Sequence, residues 1–91
     1  MFNQNIGGWK TGNVKEMDYM FYKASKFNKN IEAWDVSNVN NMQGMFHGAS
    51  MFDQNIGAWD VSNVKNMWDT FKEATAFKKD YIKDWANQPK E

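Results

Sequence analysis

Large apolar residues recur along this chain at a fixed interval of 25. Phe2, Phe27, Phe52 and Phe77 each open a segment that reads Phe-x-x-x-Ile-x-x-Trp-x-x-x-x-Val-x-x-Met-x-x-x-Phe-x-x-Ala through the first three copies. Self-similarity at such a period is the signature of a repeat protein, in which each unit is too short to bury its own apolar residues and must pack on its neighbours. In register the copies run 2–26, 27–51 and 52–76, followed by a C-terminal segment 77–91; the second and third agree at 14 of 25 positions. The shared positions are mostly the large apolar ones. Tyr22, His47 and Lys72 occupy one position and differ freely, so repetition follows burial and variation follows solvent.

Within a copy, Val14, Met17, Met20, Phe21 and Ala24 fall at i, i+3, i+6, i+7 and i+10, which predicts one face of an α-helix. Val39 to Ala49 repeats the face. Val64 to Ala74 keeps it with Thr70 in place of a methionine. Ser37 and Ser62 stand where an N-cap is wanted, with Gly12 the weaker equivalent. Upstream, Trp34-Asp35-Val36-Ser37 and Trp59-Asp60-Val61-Ser62 alternate apolar with polar, the period of a half-buried strand, and Asn30-Ile31 and Asn55-Ile56 offer a second short extended piece. The i, i+4, i+7 spacing of Phe2, Ile6 and Trp9 also admits a second helix. Gly7, Gly8 and Gly12 weigh against it, because glycine costs about 1 kcal/mol per helical position.

Coils stacked in register would place like on like. Trp9, Trp34 and Trp59 then form one column, Phe21, Phe46 and Phe71 a second, Met17, Met42 and Met67 a third, and Asn13, Asn38 and Asn63 a polar ladder whose amides satisfy neighbouring backbone. After Phe77 the spacing slips by one residue to Ile82 and Trp85, with charges between, and the pattern predicts a capping helix over 78–87. The first copy has no such cap. Phe2, Ile6 and Trp9 are left on an open face, which implies truncation or self-association through the N-terminal coil.

Composition narrows the function classes. Ninety-one residues make one small repeat domain, 1–91; eleven basic and eleven acidic residues cancel to a net charge of zero, which removes the main electrostatic attraction for nucleic acid. No apolar run reaches the length that crosses a bilayer, so direct membrane insertion is not expected. The chain has no cysteine, and aromatic residues reach 16%, which argues against disorder. The repeat begins at Phe2, leaving no room ahead of it for a signal peptide, so the localisation stays open between an intracellular protein and a piece of a longer one.

The strings Phe-Asn-Gln-Asn-Ile, Trp-Asp-Val-Ser-Asn-Val and Met-x-x-Met-Phe-x-x-Ala resemble the 25-residue leucine-rich-repeat-like module of mycoplasma-type bacterial surface lipoproteins over residues 2–77. Lys10-Thr11-Gly12 breaks the central string in the first copy. The resemblance implies an α/β fold, a leucine-rich-repeat-like right-handed solenoid of short strands and helices with about 3.5 coils. It also implies surface display, roles in adhesion or protein interaction, and no catalysis.

Candidate chemistry is sparse. His47 has no second histidine, cysteine or placed acid beside it. Asp35 and Asp60, with Ser37 and Ser62, supply too few oxygens for a calcium cage, which needs six or more. The periodic tryptophans read as core rather than as stacking platforms for sugars or bases. Lys15, Lys23, Lys26 and Lys29 are interleaved with Glu16, Asp18 and Glu32, the pattern of a solvated face. No catalytic, metal or cofactor residue is assigned. The expected function is a non-enzymatic protein-interaction or adhesion module, with Asn5, Asn30, Asn55, Asp35 and Asp60 facing an unidentified protein partner. A structural or spacer fragment of a longer surface array is the alternative.

Overall fold

In the computed structural model, residues 3–91 are described, and each copy is a closed run of tight turns rather than a strand followed by a helix. The second copy shows the construction. Trp34, Val39, Met45, Ala49 and Phe52 donate their N–H groups three residues back, to Ile31, Val36, Met42, Phe46 and Ala49, at 3.0–3.1 Å. Each such bond closes a four-residue β-turn. The same turns recur in the first and third copies.

Two of the turns carry a left-handed residue at their third position. These are Tyr19 and Lys23 in the first copy, Gly44 and Gly48 in the second, and Asp69 and Glu73 in the third, with φ between 57° and 76°. A left-handed residue every fourth position cannot be continued as an α-helix. It is the geometry of turns that favour glycine at this place. Because a turn brings residue i beside i+3, the chained turns send Met42, Met45, Phe46 and Ala49 inward just as a helix face would.

Backbone pairing between copies is equally interrupted. Met17, Tyr19, Phe21 and Lys23 donate to the carbonyls of Asn41, Gln43, Met45 and His47 at 2.7–2.9 Å, and Met42, Gly44, Phe46 and Gly48 repeat this toward Asn66, Trp68, Thr70 and Lys72. The N–H groups in between, such as those of Met45 and Ala49, are spent inside turns. Pairing therefore survives as isolated parallel bridges, Glu16 with Asn41 and Asn41 with Asn66, and not as a sheet.

These findings overturn the expected fold class. Among the described residues there is no α-helix and no extended strand, only a short 3-10 helix at Lys79–Ile82, and the body is a compact 29 × 28 × 20 Å. It is not an α/β leucine-rich-repeat-like solenoid of strands and helices. The helix caps fail with the helices: Ser37 and Ser62 do not accept from a first turn but donate, through N–H and Oγ, to Oδ1 of Asp35 and Asp60.

Equivalent side chains do meet. Trp9, Trp34, Trp59 and Trp85 stack with centroids 6.3–6.4 Å apart and planes within 8°. Phe21, Phe46 and Phe71 are spaced 5.3–5.4 Å, and Phe27, Phe52 and Phe77 5.7–6.0 Å. Phe21, Phe46 and Phe71 each lie 4.2 Å from the phenylalanine that opens the following segment, Phe27, Phe52 and Phe77, so the columns interlock into one apolar cluster. Each large side chain so buried contributes about 1.5–3 kcal/mol. Phe2, the expected head of the first copy, lies outside the described residues. Thr70, where the other copies have methionine, is fully buried, and its hydroxyl donates to the carbonyls of Met42 and Met67.

The C-terminal segment closes the last layer without the expected helix over 78–87. The 3-10 turn takes up the extra residue, and Trp85 joins the column. Gln88 Nε2 donates to the carbonyls of Ile82 and Trp85 at 2.8 and 3.1 Å, and Asn87 Nδ2 donates to those of Val61 and Val64 at 3.0 Å. Lys90 then bridges to Trp68. Side-chain amides thus supply donors to carbonyls of the last layer and of the C-terminal segment itself.

Candidate protein-interaction surface

Asparagine and aspartate at the turn starts are committed to the backbone. Asn30 Oδ1 accepts from the Glu32 N–H at 2.9 Å and Asn55 Oδ1 from the Gly57 N–H at 3.0 Å. Asp35 Oδ1 accepts from the Ser37 N–H at 2.9 Å and its hydroxyl at 2.6 Å, and Asp60 repeats both with Ser62. These are side-chain-closed turns. The serine hydroxyl, then the serine N–H, holds each aspartate below its usual carboxylate range. All five expected contact residues, Asn5 among them, are exposed. Four of the five thus have a local task.

The asparagine ladder also bonds as its spacing predicts. Asn38 Nδ2 donates to the Gly12 carbonyl and Asn63 Nδ2 to the Ser37 carbonyl, each at 2.7 Å. Asp53 pairs with Lys78 at 2.6 Å between the third layer and the C-terminal segment. Lys78 holds the Asp53 carboxyl below its usual range, and Asp53 pushes the Lys78 ammonium above its own.

Several exposed aromatic residues occupy positions that do not recur between copies. Tyr19 is 46% exposed, Tyr22 43% and Trp68 53%. Tyr19 meets Tyr22 edge-on at 5.6 Å, Tyr22 meets the His47 ring edge-on at 5.1 Å, and the Lys23 ammonium sits 5.2 Å from the Tyr22 centroid. Gly44 forms the floor. A Cβ there would come within 2.5 Å of Tyr19 Cε1, and the Gly44 N–H bonds the Trp68 carbonyl at 2.9 Å. His47 is half-buried rather than a fully exposed helix residue, and its Nε2 lies 3.2 Å from Glu73 Oε1. Beside Trp68 a shallow cleft of about 340 Å³ is lined by Lys65, Met67, Asn87 and Lys90.

The sequence signal for this ridge is a large aromatic residue at a position that varies between copies, Tyr22 against His47 and Lys72, or Trp68 against Asp18 and Gln43. Periodicity alone points elsewhere, since it selects the core. Among the described residues no three acidic, histidine or cysteine side chains converge as metal ligands.

A known family model matches residues 1–90 under the description Mycoplasma protein of unknown function, DUF285. The chain belongs to the DUF285 family. That membership spans all three copies and the C-terminal segment, so the layers, the aromatic columns and the ridge all lie within the DUF285 region. No curated protein and no solved structure matches the chain.

Proposed function

We propose that this DUF285 chain is a non-enzymatic protein-interaction module whose contact surface is the ridge of Tyr19, Tyr22, His47 and Trp68. The observation that carries the reading is the exposure of large aromatic side chains at non-repeating positions of a framework whose repeating apolar positions are mostly buried. Tyrosine and tryptophan anchor protein interfaces because they offer large, stiff, amphipathic area, and a partner that covers them removes that area from water. In this reading Asn30, Asn55, Asp35 and Asp60 shape the turns that hold the ridge, and their outward atoms form a polar flank with Asn5. Surface display, as in the lipoproteins this repeat resembles, would turn the ridge toward extracellular proteins.

The test is site-specific photo-crosslinking in the source cells from position 22 or 68, followed by binding of the captured protein to purified variants. Tyr22→Ala and Trp68→Ala are expected to weaken that complex about tenfold or more each, which corresponds to about 1.4 kcal/mol. Unchanged affinity in both variants overturns the ridge as the contact surface.

A further inference from the structure

The two ends of the stack are finished differently. At the C-terminal end, the carbonyl of Ile82 already has a donor, Gln88 Nε2 at 2.8 Å, and Trp85 is only 6% exposed. Ile6, Ile31 and Ile56 use the equivalent carbonyl to accept the indole N–H of the next tryptophan, Trp34, Trp59 or Trp85, at 3.0–3.2 Å. Gln88 thus stands in for a following layer. Asn87 likewise reaches the Ser62 carbonyl at 3.5 Å, the acceptor that a following ladder asparagine would take.

At the opposite end the same positions are open. Trp9 is 53% exposed, against 3–6% for the other tryptophans in its column, and Met20 is 38% exposed, against 0% for Met45 and Thr70. The carbonyls of Asp18, Met20 and Tyr22 are the counterparts of those that accept from a preceding layer at Gln43, Met45 and His47; among the described residues no donor meets them. Trp9 Nε1 and Asn13 Nδ2, whose counterparts in later layers donate backwards, have no acceptor among the described residues. The face therefore presents a row of acceptors, two placed donors and an apolar strip, all in the register of the interface repeated between layers.

We propose that this face is an assembly surface for one further layer of the same 25-residue pattern. Such a layer supplies backbone N–H groups to Asp18, Met20 and Tyr22, an isoleucine carbonyl to Trp9, a turn carbonyl to Asn13, and the ring that covers Trp9. The surface continues an interface already formed twice over between the three copies. A second whole copy docked face to face does not fit, since it sets carbonyl row against carbonyl row and indole N–H against indole N–H, leaving both unsatisfied. Docked head to tail, it finds the Ser62 and Ile82 carbonyls taken by Asn87 and Gln88 and the Asp69 N–H taken by the Lys90 carbonyl, so only part of the register is on offer. Association here is directional.

The experiment joins a second copy of residues 27–51 directly ahead of Phe2, which reproduces the junction between Met51 and Phe52, and follows solvent exchange of the Trp9 indole N–H by NMR, with the signal assigned through Trp9→Phe. A control fusion carries serine at the isoleucine, tryptophan and second methionine of the added copy. The matched layer is expected to slow Trp9 indole exchange at least about tenfold and to raise the melting temperature by several degrees, while the control does neither. Equal Trp9 exchange in the matched and control fusions overturns the proposal. Dimerisation of the unextended chain that protects Trp9, read by analytical ultracentrifugation and the same indole signal, also overturns it, because a second copy would then be the occupant.

Discussion

Trp59 donates its indole N–H to the carbonyl of Ile31, one layer back, at 3.2 Å, while its ring lies on Trp34 with centroids 6.4 Å apart. One side chain thus supplies both apolar area and a fixed hydrogen bond between layers, which sets the register of the stack as well as its spacing.

Replacing it separates the two contributions. Trp59→Phe keeps a ring in the column but removes the donor, and the expected loss is about 1–3 kcal/mol, held down because the Ile31 carbonyl still accepts from the Trp34 N–H. Trp59→Ala removes the ring from contact with Trp34, Trp85 and Phe46 and is expected to cost about 3–5 kcal/mol, much of the stability of a domain this small. Urea unfolding of both variants checks the order; equal losses would show that a phenyl ring at this place contributes nothing once the indole N–H is gone.

Glycine matters at two particular turns. Gly44 and Gly48 have φ of 60° and 76°, where an alanine is strained by about 1–2 kcal/mol. Gly44→Ala carries the added clash with the Tyr19 ring and is expected to lose about 2 kcal/mol or more, and Gly48→Ala about 1 kcal/mol. At Gly8 nothing stands within 4 Å of an added Cβ, so Gly8→Ala is expected to stay within about 0.5 kcal/mol of the parent. Shifts in the urea midpoint measure all three.

Acid acts through the turn aspartates. Asp35, Asp53 and Asp60 are held below the usual value of 3.8, the first and third by serine donors and Asp53 by Lys78. A carboxyl whose folded value lies below its unfolded one binds fewer protons when folded, so its stabilisation is complete above the unfolded value and is lost as pH falls through the folded one. The melting temperature is therefore expected to hold steady from neutral pH to about 5 and to fall below about 4. Ser37→Ala with Ser62→Ala removes the hydroxyl share of the effect and is expected to flatten that fall.

The columns were legible because stacking copies a spacing of 25 directly into contact: Trp34 meets Trp59, Phe46 meets Phe71, and Asn63 reaches the layer before it. The conformation between column residues was not. An i, i+3 spacing is shared by a helix face and by consecutive four-residue turns, so Met42, Met45, Phe46 and Ala49 satisfy either. What decides between them is a left-handed residue every four positions. Gly44 and Gly48 display it in the second copy, but Tyr19, Lys23, Asp69 and Glu73 hide it in the other two. The proposed contact ridge is less legible for a related reason, since recurrence favours Asn30 and Asp35, whose oxygens close their own turns, over the non-recurring Tyr22 and Trp68.

The 3-10 turn at Lys79–Ile82 has a consequence for how such chains vary in length. Trp85 follows Trp59 by 26 residues instead of 25 and still stacks at 6.3 Å, because the added residue is wound into the corner between Phe77 and Ile82 before the tryptophan turn begins. That corner works as a slack link. The one residue added there leaves the aromatic pile undisturbed, whereas one placed between Ile56 and Trp59 is expected to throw the indole off its acceptor.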